Sequence, residues 1–209
     1  MSSNLTIQRT PSAVEPPLVI NRILEAGVRK APEQTITYGD RDFTYREFEE
    51  RVHRLAGALA AQGIKPGDTV AVMDWDTNRY LEAFFAIPMM GAVLHTVNVR
   101  LSPEQVLYTI NHAEDDAILV NSEFLPILEA IKDRIEPVKT YILLDDDGVK
   151  SSDALPLAGE YEDLLAKAPA RFEFPELDEN TRATTFYTTG TTGLPKGVYF
   201  SHRQLVLHT

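Results

Sequence analysis

Hydrophobic positions along the chain fall into short continuous runs that alternate with stripes at helical spacing. The runs at 69–73, 92–97, 117–120 and 140–144 are apolar and β-prone, as is typical of strands covered on both faces. Strands that alternate with helices are joined by crossover connections, which make neighbouring strands parallel. The pattern therefore predicts an α/β fold: a doubly wound, mostly parallel sheet with flanking helices.

Helical stripes and start signals predict the helices between these runs. The predicted helices cover 18–30, 78–90, 125–135 and 161–168, and three more begin at the caps Thr44, Ser102 and Ser201. Gly63 is expected to end the second helix, and Pro88 to bend or end the helix at 78–90 early. The buried stripe of that helix is predicted to be Tyr80, Leu81, Phe84 and Ile87.

The remaining segments lack a continuous pattern. Residues 1–17 are predicted to be a loosely held leader, 145–157 a surface loop and 172–180 an extended connector. A β-prone segment at 34–38 is expected to turn at Gly39 toward Phe43. The apolar pattern after Ser201 stops at Thr209 without a stop signal, so we expect residues 18–209 to be the truncated N-terminal part of a larger domain.

A glycine–threonine loop, residues 188–197, contains the candidate chemistry. It reads Thr-Thr-Gly-Thr-Thr-Gly-Leu-Pro-Lys-Gly and lies between β-prone runs at 183–187 and 198–200, which predicts strand, tight loop, strand. Gly190 and Gly193 allow several backbone N–H groups to converge on an anion. Lys196 adds a compact positive charge, and the threonine hydroxyls add donors and an oxygen for a metal. These features indicate a polyphosphate site.

The loop is not the P-loop of ATPases and GTPases, which requires G-x-x-x-x-G-K-[ST] at the start of a helix. Here Pro195 precedes the lysine, Gly197 follows it, and a strand comes next. The alternative is a threonine-rich hairpin loop that binds nothing. A ten-residue match with both the proline and the lysine in place favours the phosphate site.

Residues 187–197 resemble the signature of the adenylate-forming superfamily, Tyr-Thr-[Ser/Thr]-Gly-Thr-Thr-Gly-x-Pro-Lys-Gly, throughout. This superfamily includes acyl-CoA synthetases, luciferases and peptide-synthetase adenylation domains. From about residue 18 onward the chain is similar to the N-terminal part of a fatty-acyl-CoA synthetase. The segments with the clearest further similarity are 90–105, 111–114 and 201–205. Asn98-Val99-Arg100-Leu101 stands where this branch usually has Asn-Pro-Arg-Leu, a departure that bears on which acid is used.

The resemblance implies a two-step reaction that uses ATP, Mg²⁺ and coenzyme A. A carboxylate attacks the α-phosphorus of ATP, diphosphate leaves, and the thiol of coenzyme A then displaces AMP. The implied phosphate-binding residues are Thr188, Thr189, Gly190, Thr191, Thr192, Gly193 and Lys196. Lys196 would neutralise charge on the leaving diphosphate, and Thr188 would also contact the metal. A glutamate for the metal, the ribose-binding aspartate and a catalytic lysine of this family lie in segments that the 209 residues lack.

Composition narrows the function classes. The formal net charge of −11 disfavours nucleic acid and anionic membranes as partners. The absence of cysteine excludes disulfides, thiolate metal sites and a cysteine nucleophile. No apolar run approaches the ~20 residues of a membrane helix, and no signal-peptide core precedes residue 18. A cytoplasmic enzyme is therefore expected.

Other candidate residues favour structural roles. None of the five histidines has a partner at metal-site spacing, and the Gly-x-Ser-x-Gly elbow of hydrolases is absent. We interpret His202, with Ser201 before it, as part of a helix cap and as a packing residue. The acidic run from Asp145 is interpreted as a solvated loop, and Trp75 as a residue that packs at the sheet edge. Asn98 and Arg100 follow a strand end, where ligands gather in parallel sheets. We favour a structural role in the loop, in which Asn98 hydrogen-bonds to the backbone and Arg100 pairs with an acidic residue, over a role in ligand binding.

Three hypotheses remain at this point. The leading one is an ATP-dependent acyl-CoA ligase for a medium- or long-chain fatty acid. The second has the same chemistry on a short-chain, thioether-bearing or aryl acid. The third is a non-catalytic module for homodimer assembly, since relatives dimerise through this region. Under either ligase hypothesis, the 209 residues alone are expected to form no acyl-CoA.

Overall fold

The computed structural model describes residues 10–146, 148, 152, 154–188 and 193–209. A two-stranded antiparallel hairpin and a seven-stranded sheet contain all the strands of this part of the chain. The strands are β1 (Thr35–Tyr38), β2 (Arg41–Thr44), β3 (Thr69–Met73), β4 (Val93–Thr96), β5 (Asp115–Asn121), β6 (Thr140–Leu144), β7 (Leu157–Glu160), β8 (Arg182–Thr188) and β9 (Lys196–Ser201). The large sheet has the order β7-β6-β5-β3-β4-β8-β9. All neighbours in it are parallel except β8 and β9.

Helices cover both faces of the large sheet. They are α1 (Asn21–Lys30), α2 (Tyr45–Ala61), α3 (Asn78–Met89), α4 (Pro103–Ala113), α5 (Leu125–Ile131), α6 (Tyr161–Lys167) and α7 (His202–His208). The side chains of β3 show how the sheet divides two cores. Val70 and Val72 pack with α1, α2, α3 and α6, whereas Ala71 and Met73 pack with α4 and α5. Because successive side chains point to opposite faces, a strand covered on both sides is apolar throughout. The predicted doubly wound, mostly parallel fold is confirmed.

Three helices begin at the caps that the sequence predicts, each with a reciprocal pair of hydrogen bonds. The Thr44 hydroxyl accepts from the Glu47 amide at 3.2 Å, and the Glu47 carboxylate accepts from the Thr44 amide at 2.8 Å. Ser102 with Gln105, and Ser201 with Gln204, make the same capping box at α4 and α7. Each box satisfies amides that have no partner inside the helix, which fixes where the helix begins.

The buried stripe predicted for α3 is wrong at one position. Pro88 lies in the last turn, where its missing N–H removes one helical hydrogen bond, and the helix ends one residue later at Met89, just before the predicted end. Leu81, assigned to the buried stripe, is 37% exposed, while Glu82 beside it is fully buried. Partners on α2 and α6 satisfy Glu82, so burial on this helix does not follow hydrophobicity.

Smaller differences concern element boundaries. α1 begins at Asn21 rather than at residue 18, and α5 ends at Ile131, with short 3₁₀ turns on either side of it. The edge strand β7 lies partly in the segment predicted to be a loop, and it pairs with β6 alone. Its sequence Leu-Ala-Gly-Glu carries little strand signal of its own, and the exposed edge of β6 supplies its pairing. No helix in the described residues is both long and apolar enough to cross a membrane.

Candidate functional site

The glycine–threonine loop begins and ends at one edge of the sheet. Strands β8 and β9 form an antiparallel pair in which Thr188 lies opposite Lys196 and Tyr187 opposite Gly197. β8 runs parallel to β4, so Thr188 lies at the carboxyl end of the parallel strands. This is the end at which open α/β sheets bind their ligands. The strands predicted on either side of the loop are confirmed as β8 and β9, and residues 189–192 of the loop lie outside the described residues.

Three of the seven predicted phosphate-binding residues are described. Thr188 and Lys196 face each other where the loop leaves and rejoins the sheet, and the Thr188 hydroxyl donates to the Lys196 carbonyl at 3.5 Å. Gly193 has a φ of +112°, a conformation that side chains other than glycine rarely adopt. The other four, Thr189, Gly190, Thr191 and Thr192, lie outside the described residues.

The side chain of Lys196 has no acidic partner in the described part of the chain. Lys196 is exposed, and none of the described carboxylates lies within 4.0 Å of its ammonium group. In a chain with 31 acidic residues and 20 lysines and arginines, such a cation at a loop base is available to an external anion.

Magnesium is the metal that the family resemblance implies. The described residues contain no group of three or more His, Asp or Glu side chains that could hold an ion. Thr188 offers one exposed hydroxyl at the start of the loop. A single protein oxygen suits Mg²⁺ where nucleotide phosphates and waters supply the other ligands, as is common for this ion. Thr188 fits a metal that arrives with the nucleotide.

A buried histidine–aspartate pair lies beside the strands that support the loop. His95 on β4 and Asp115 at the start of β5 are both almost fully buried, and Nδ1 of His95 lies 2.8 Å from a carboxylate oxygen of Asp115. Burial raises the pKa of Asp115 to about 6, against the opposing effect of His95. Sequence reasoning missed this pair because β3 lies between the two strands.

A largely buried polar network at the carboxyl ends of β3, β5 and β6 was also missed. Its members are Asp74, Thr77, Arg79, Asn121 and the more exposed Asp146. The Asn121 amide donates to Asp74 and to Asp146, both at 2.8 Å, and Arg79 pairs with Asp146 at 2.6 Å. Burial raises the pKa of Asp74. A signal was present, since Asp74 directly follows β3, Asn121 ends β5 and Asp146 follows β6 closely.

The other singled-out residues have structural roles. Trp75 packs on Phe124 with ring centroids 5.1 Å apart, and its Nε1 donates to Glu123 at 2.8 Å. The Asn98 side chain accepts from the Arg100 amide at 3.1 Å, as expected for a structural role in the loop. The acid expected to pair with Arg100 is absent from the described carboxylates.

His202 has a packing role, whereas one residue of the acidic run from Asp145 is bonded to a buried side chain. His202 is fully buried, and its Nδ1 accepts from the Ile20 amide at 3.3 Å, so it packs α7 against the N-terminal segment. In the acidic run, Asp146 is bonded within the polar network described above, and Asp147 lies outside the described residues.

The family model of the AMP-binding enzymes matches residues 24–209. The chain belongs to this family. Its relatives include a medium-chain-fatty-acid–CoA ligase of Ectopseudomonas oleovorans, 41% identical over 79% of this chain and 30% of the relative. A 3-methylmercaptopropionyl-CoA ligase of Ruegeria lacuscaerulensis is 37% identical over 92% of this chain and 37% of the relative. The AMP-binding chain described here thus spans about a third of the length of these relatives.

Solved structures of AMP-binding enzymes share the fold. An anthranilate CoA ligase, AuaEII, crystallised with anthranoyl-AMP, superposes with a TM-score of 0.81 over 90% of this chain and 36% of that one. The sequence identity is 23%, so this likeness bears on architecture alone. The predicted similarity to the N-terminal part of acyl-CoA synthetases is confirmed at the level of family and fold.

Proposed function

We propose that the full-length protein is an ATP-dependent acyl-CoA ligase that joins a carboxylic acid to coenzyme A through an acyl-adenylate, releasing AMP and diphosphate. The observation that supports this most directly is the hairpin at the carboxyl end of the sheet. It places a hydroxyl, a left-handed glycine and an exposed lysine, which no described carboxylate pairs with, around one loop. Membership of the AMP-binding family supplies the reaction class.

The loop would stabilise the departing diphosphate. As the bond to the α-phosphorus breaks, negative charge grows on the β- and γ-phosphates, and donors that already surround them lower the barrier. We assign this role to the hydroxyls of Thr188, Thr189, Thr191 and Thr192 and to the amides of Gly190 and Gly193. Lys196 neutralises part of the charge. Thr188 is the residue that would hold Mg²⁺, which supplies further charge neutralisation when it is bound with the nucleotide.

A medium- or long-chain fatty acid is the proposed substrate class. The relative from Ectopseudomonas oleovorans is named for a medium-chain fatty acid and that from Ruegeria lacuscaerulensis for a thioether acid, so both acid types belong in the test. Short-chain and aryl acids complete the panel. We further propose that the 209 residues do not complete the reaction alone. The cytoplasmic location and the homodimer stay predictions.

Exchange of labelled diphosphate into ATP, measured for the full-length protein with each acid of the panel, tests the proposal. Lys196→Ala is expected to slow exchange about 100-fold, because one preorganised charge on the leaving group is lost. Lys65→Ala, which removes another exposed lysine beyond α2, is the matched control and is expected to retain the wild-type rate. The ligase proposal fails if no acid supports exchange, and the role of Lys196 fails if the two variants behave alike.

A further inference from the structure

Tyr187 is the last residue of β8 before the proposed phosphate-binding residues begin, and its ring contacts three other elements. On β4, the ring of His95 lies 5.2 Å from that of Tyr187, centroid to centroid. Behind it, Asp115 fixes His95 by the buried contact at 2.8 Å. The inner side of the Tyr187 ring therefore rests on a rigid support within the sheet.

The hydroxyl end of Tyr187 is bound to α4. Its oxygen lies 2.8 Å from Nδ1 of His112, and the two rings are nearly perpendicular with centroids 5.7 Å apart. Tyr108, one helical turn before His112, adds a second edge contact to the Tyr187 ring. Burial raises the pKa of Tyr187, so the hydroxyl keeps its proton at neutral pH. The phenol is thus a persistent hydrogen-bonding group between β8 and α4.

The same ring also covers β9. Gly197 lies directly opposite Tyr187, and a Cβ atom placed on this glycine would lie 3.3 Å from Cε1 and Cζ of the tyrosine. That distance is tighter than an ordinary van der Waals contact, so the ring occupies the space of a side chain at 197. Gly197 directly follows Lys196. One side chain therefore limits the movement of both strands next to Thr188 and Lys196.

We infer that Tyr187 is a positioning residue for polyphosphate binding: its hydroxyl bond to His112 on α4 fixes the spacing of Thr188 and Lys196 at the base of the glycine–threonine loop. This inference rests on the proposed function, since it concerns the ATP site of the ligase. Tyr187 does not contact the nucleotide in this role. Its effect passes through the backbone of β8 and through Gly197 of β9.

The KM for ATP and the KM for the acid, measured by diphosphate exchange with the full-length protein, distinguish positioning from plain packing. Tyr187→Phe removes one oxygen and keeps the ring. We expect the KM for ATP to rise about fivefold, in line with the loss of one hydrogen bond, with the KM for the acid unchanged and the melting temperature lowered by no more than a few degrees. Tyr199→Phe makes the same chemical change on β9, where Tyr199 is 41% exposed, and is expected to leave both constants unchanged.

His112 provides the second half of the test. His112→Ala is expected to raise the KM for ATP as Tyr187→Phe does, and the double variant to be no worse than either single variant, because both remove the same bond. His112→Asn keeps a polar atom near the position of Nδ1 and is expected to restore most of the affinity. An unchanged KM for ATP in Tyr187→Phe, or additive effects in the double variant, would overturn the inference.

Binding of ATP with Mg²⁺, measured by calorimetry, separates this inference from the proposed function. If wild-type protein binds ATP but no acid supports exchange, the ligase proposal fails, and the inference survives only if Tyr187→Phe weakens that binding. If exchange proceeds and Tyr187→Phe binds ATP as tightly as wild type, the inference alone fails.

Discussion

Two glycines of the loop are required for different physical reasons. Gly193 has a left-handed φ of +112°, and among the described residues nothing lies within 4 Å of the place where a Cβ would be, so its requirement is conformational. Gly197 has no such φ, but the ring of Tyr187 fills the space beside it. The sequence motif could predict that both positions are glycine-dependent. It could not show the second reason, because that depends on the register of β8 and β9.

Replacing Gly193 tests the conformational requirement. Gly193→Ala is expected to cost about 1 kcal/mol in the free energy of unfolding, because alanine in a left-handed conformation is strained. Gly39, in the turn between β1 and β2, has a φ of +61° and equally open surroundings, so Gly39→Ala is expected to cost a similar amount. Only Gly193→Ala should also raise the KM for ATP. Urea unfolding and diphosphate exchange measure the two effects, and equal KM values would contradict the loop's role.

At the level of elements, α3 shows where reasoning from hydrophobic spacing fails. Glu82 is fully buried, and its carboxylate accepts from Arg51 at 2.7 Å, from Asn78 at 2.8 Å and from Tyr161 at 2.6 Å. Arg51 belongs to α2, and Tyr161 begins α6. A periodicity count places a glutamate on the outer face of a helix. Partners supplied by two other helices reverse that expectation, and no local pattern can show them.

The buried bond between Glu82 and Arg51 is expected to contribute far more to stability than an exposed one. Glu82→Gln should lower the free energy of unfolding by about 2 kcal/mol, because Arg51 loses its fully buried partner and keeps the more exposed carboxylate of Glu162, at 2.7 Å. Glu104→Gln removes the carboxylate from a salt bridge with Arg134 on the protein surface, at 2.6 Å, and should cost much less. Urea unfolding of the two variants makes the comparison, and similar losses would show that burial does not decide the effect.

At the scale of the whole molecule, the sequence predicts the architecture well because the central strands β3, β5 and β6 are largely apolar on both faces. The strands β3 and β6 have the predicted limits, residue for residue. The edge strand β7 was missed, since an edge strand of four residues depends on its neighbour more than on its own composition. The His95–Asp115 pair was missed for a related reason: it joins strands that are separated in the sheet by β3.

The buried pair of His95 and Asp115 predicts how the free energy of unfolding depends on pH. The pKa of Asp115 is about 6 in the folded protein, against an ordinary value near 4, so the folded state holds this proton more tightly. The stabilisation is complete below about pH 4 and is lost as the pH rises through 6. Relative to Asp115→Asn, wild-type protein should therefore lose about 2 kcal/mol between these limits.

Urea unfolding of wild type and Asp115→Asn at intervals from pH 4 to pH 7 gives this difference directly. His95 and Asp116, the charged neighbours that act on Asp115, are the same in both proteins. A difference that instead grew in favour of wild type with rising pH would mean that attraction to His95 outweighs the burial of the Asp115 carboxylate.

Trp75 gives the described edge of the sheet an optical label of its own. It is the single tryptophan in these 209 residues, it is 40% exposed, and it stands directly after Asp74 at the carboxyl end of β3. The Trp75 indole contacts Phe124 and Glu123 and is partly exposed, so the wavelength of its emission shifts when water or a bound molecule changes its surroundings. Fluorescence of this chain thus reports on one defined place, without a dye and without an added residue.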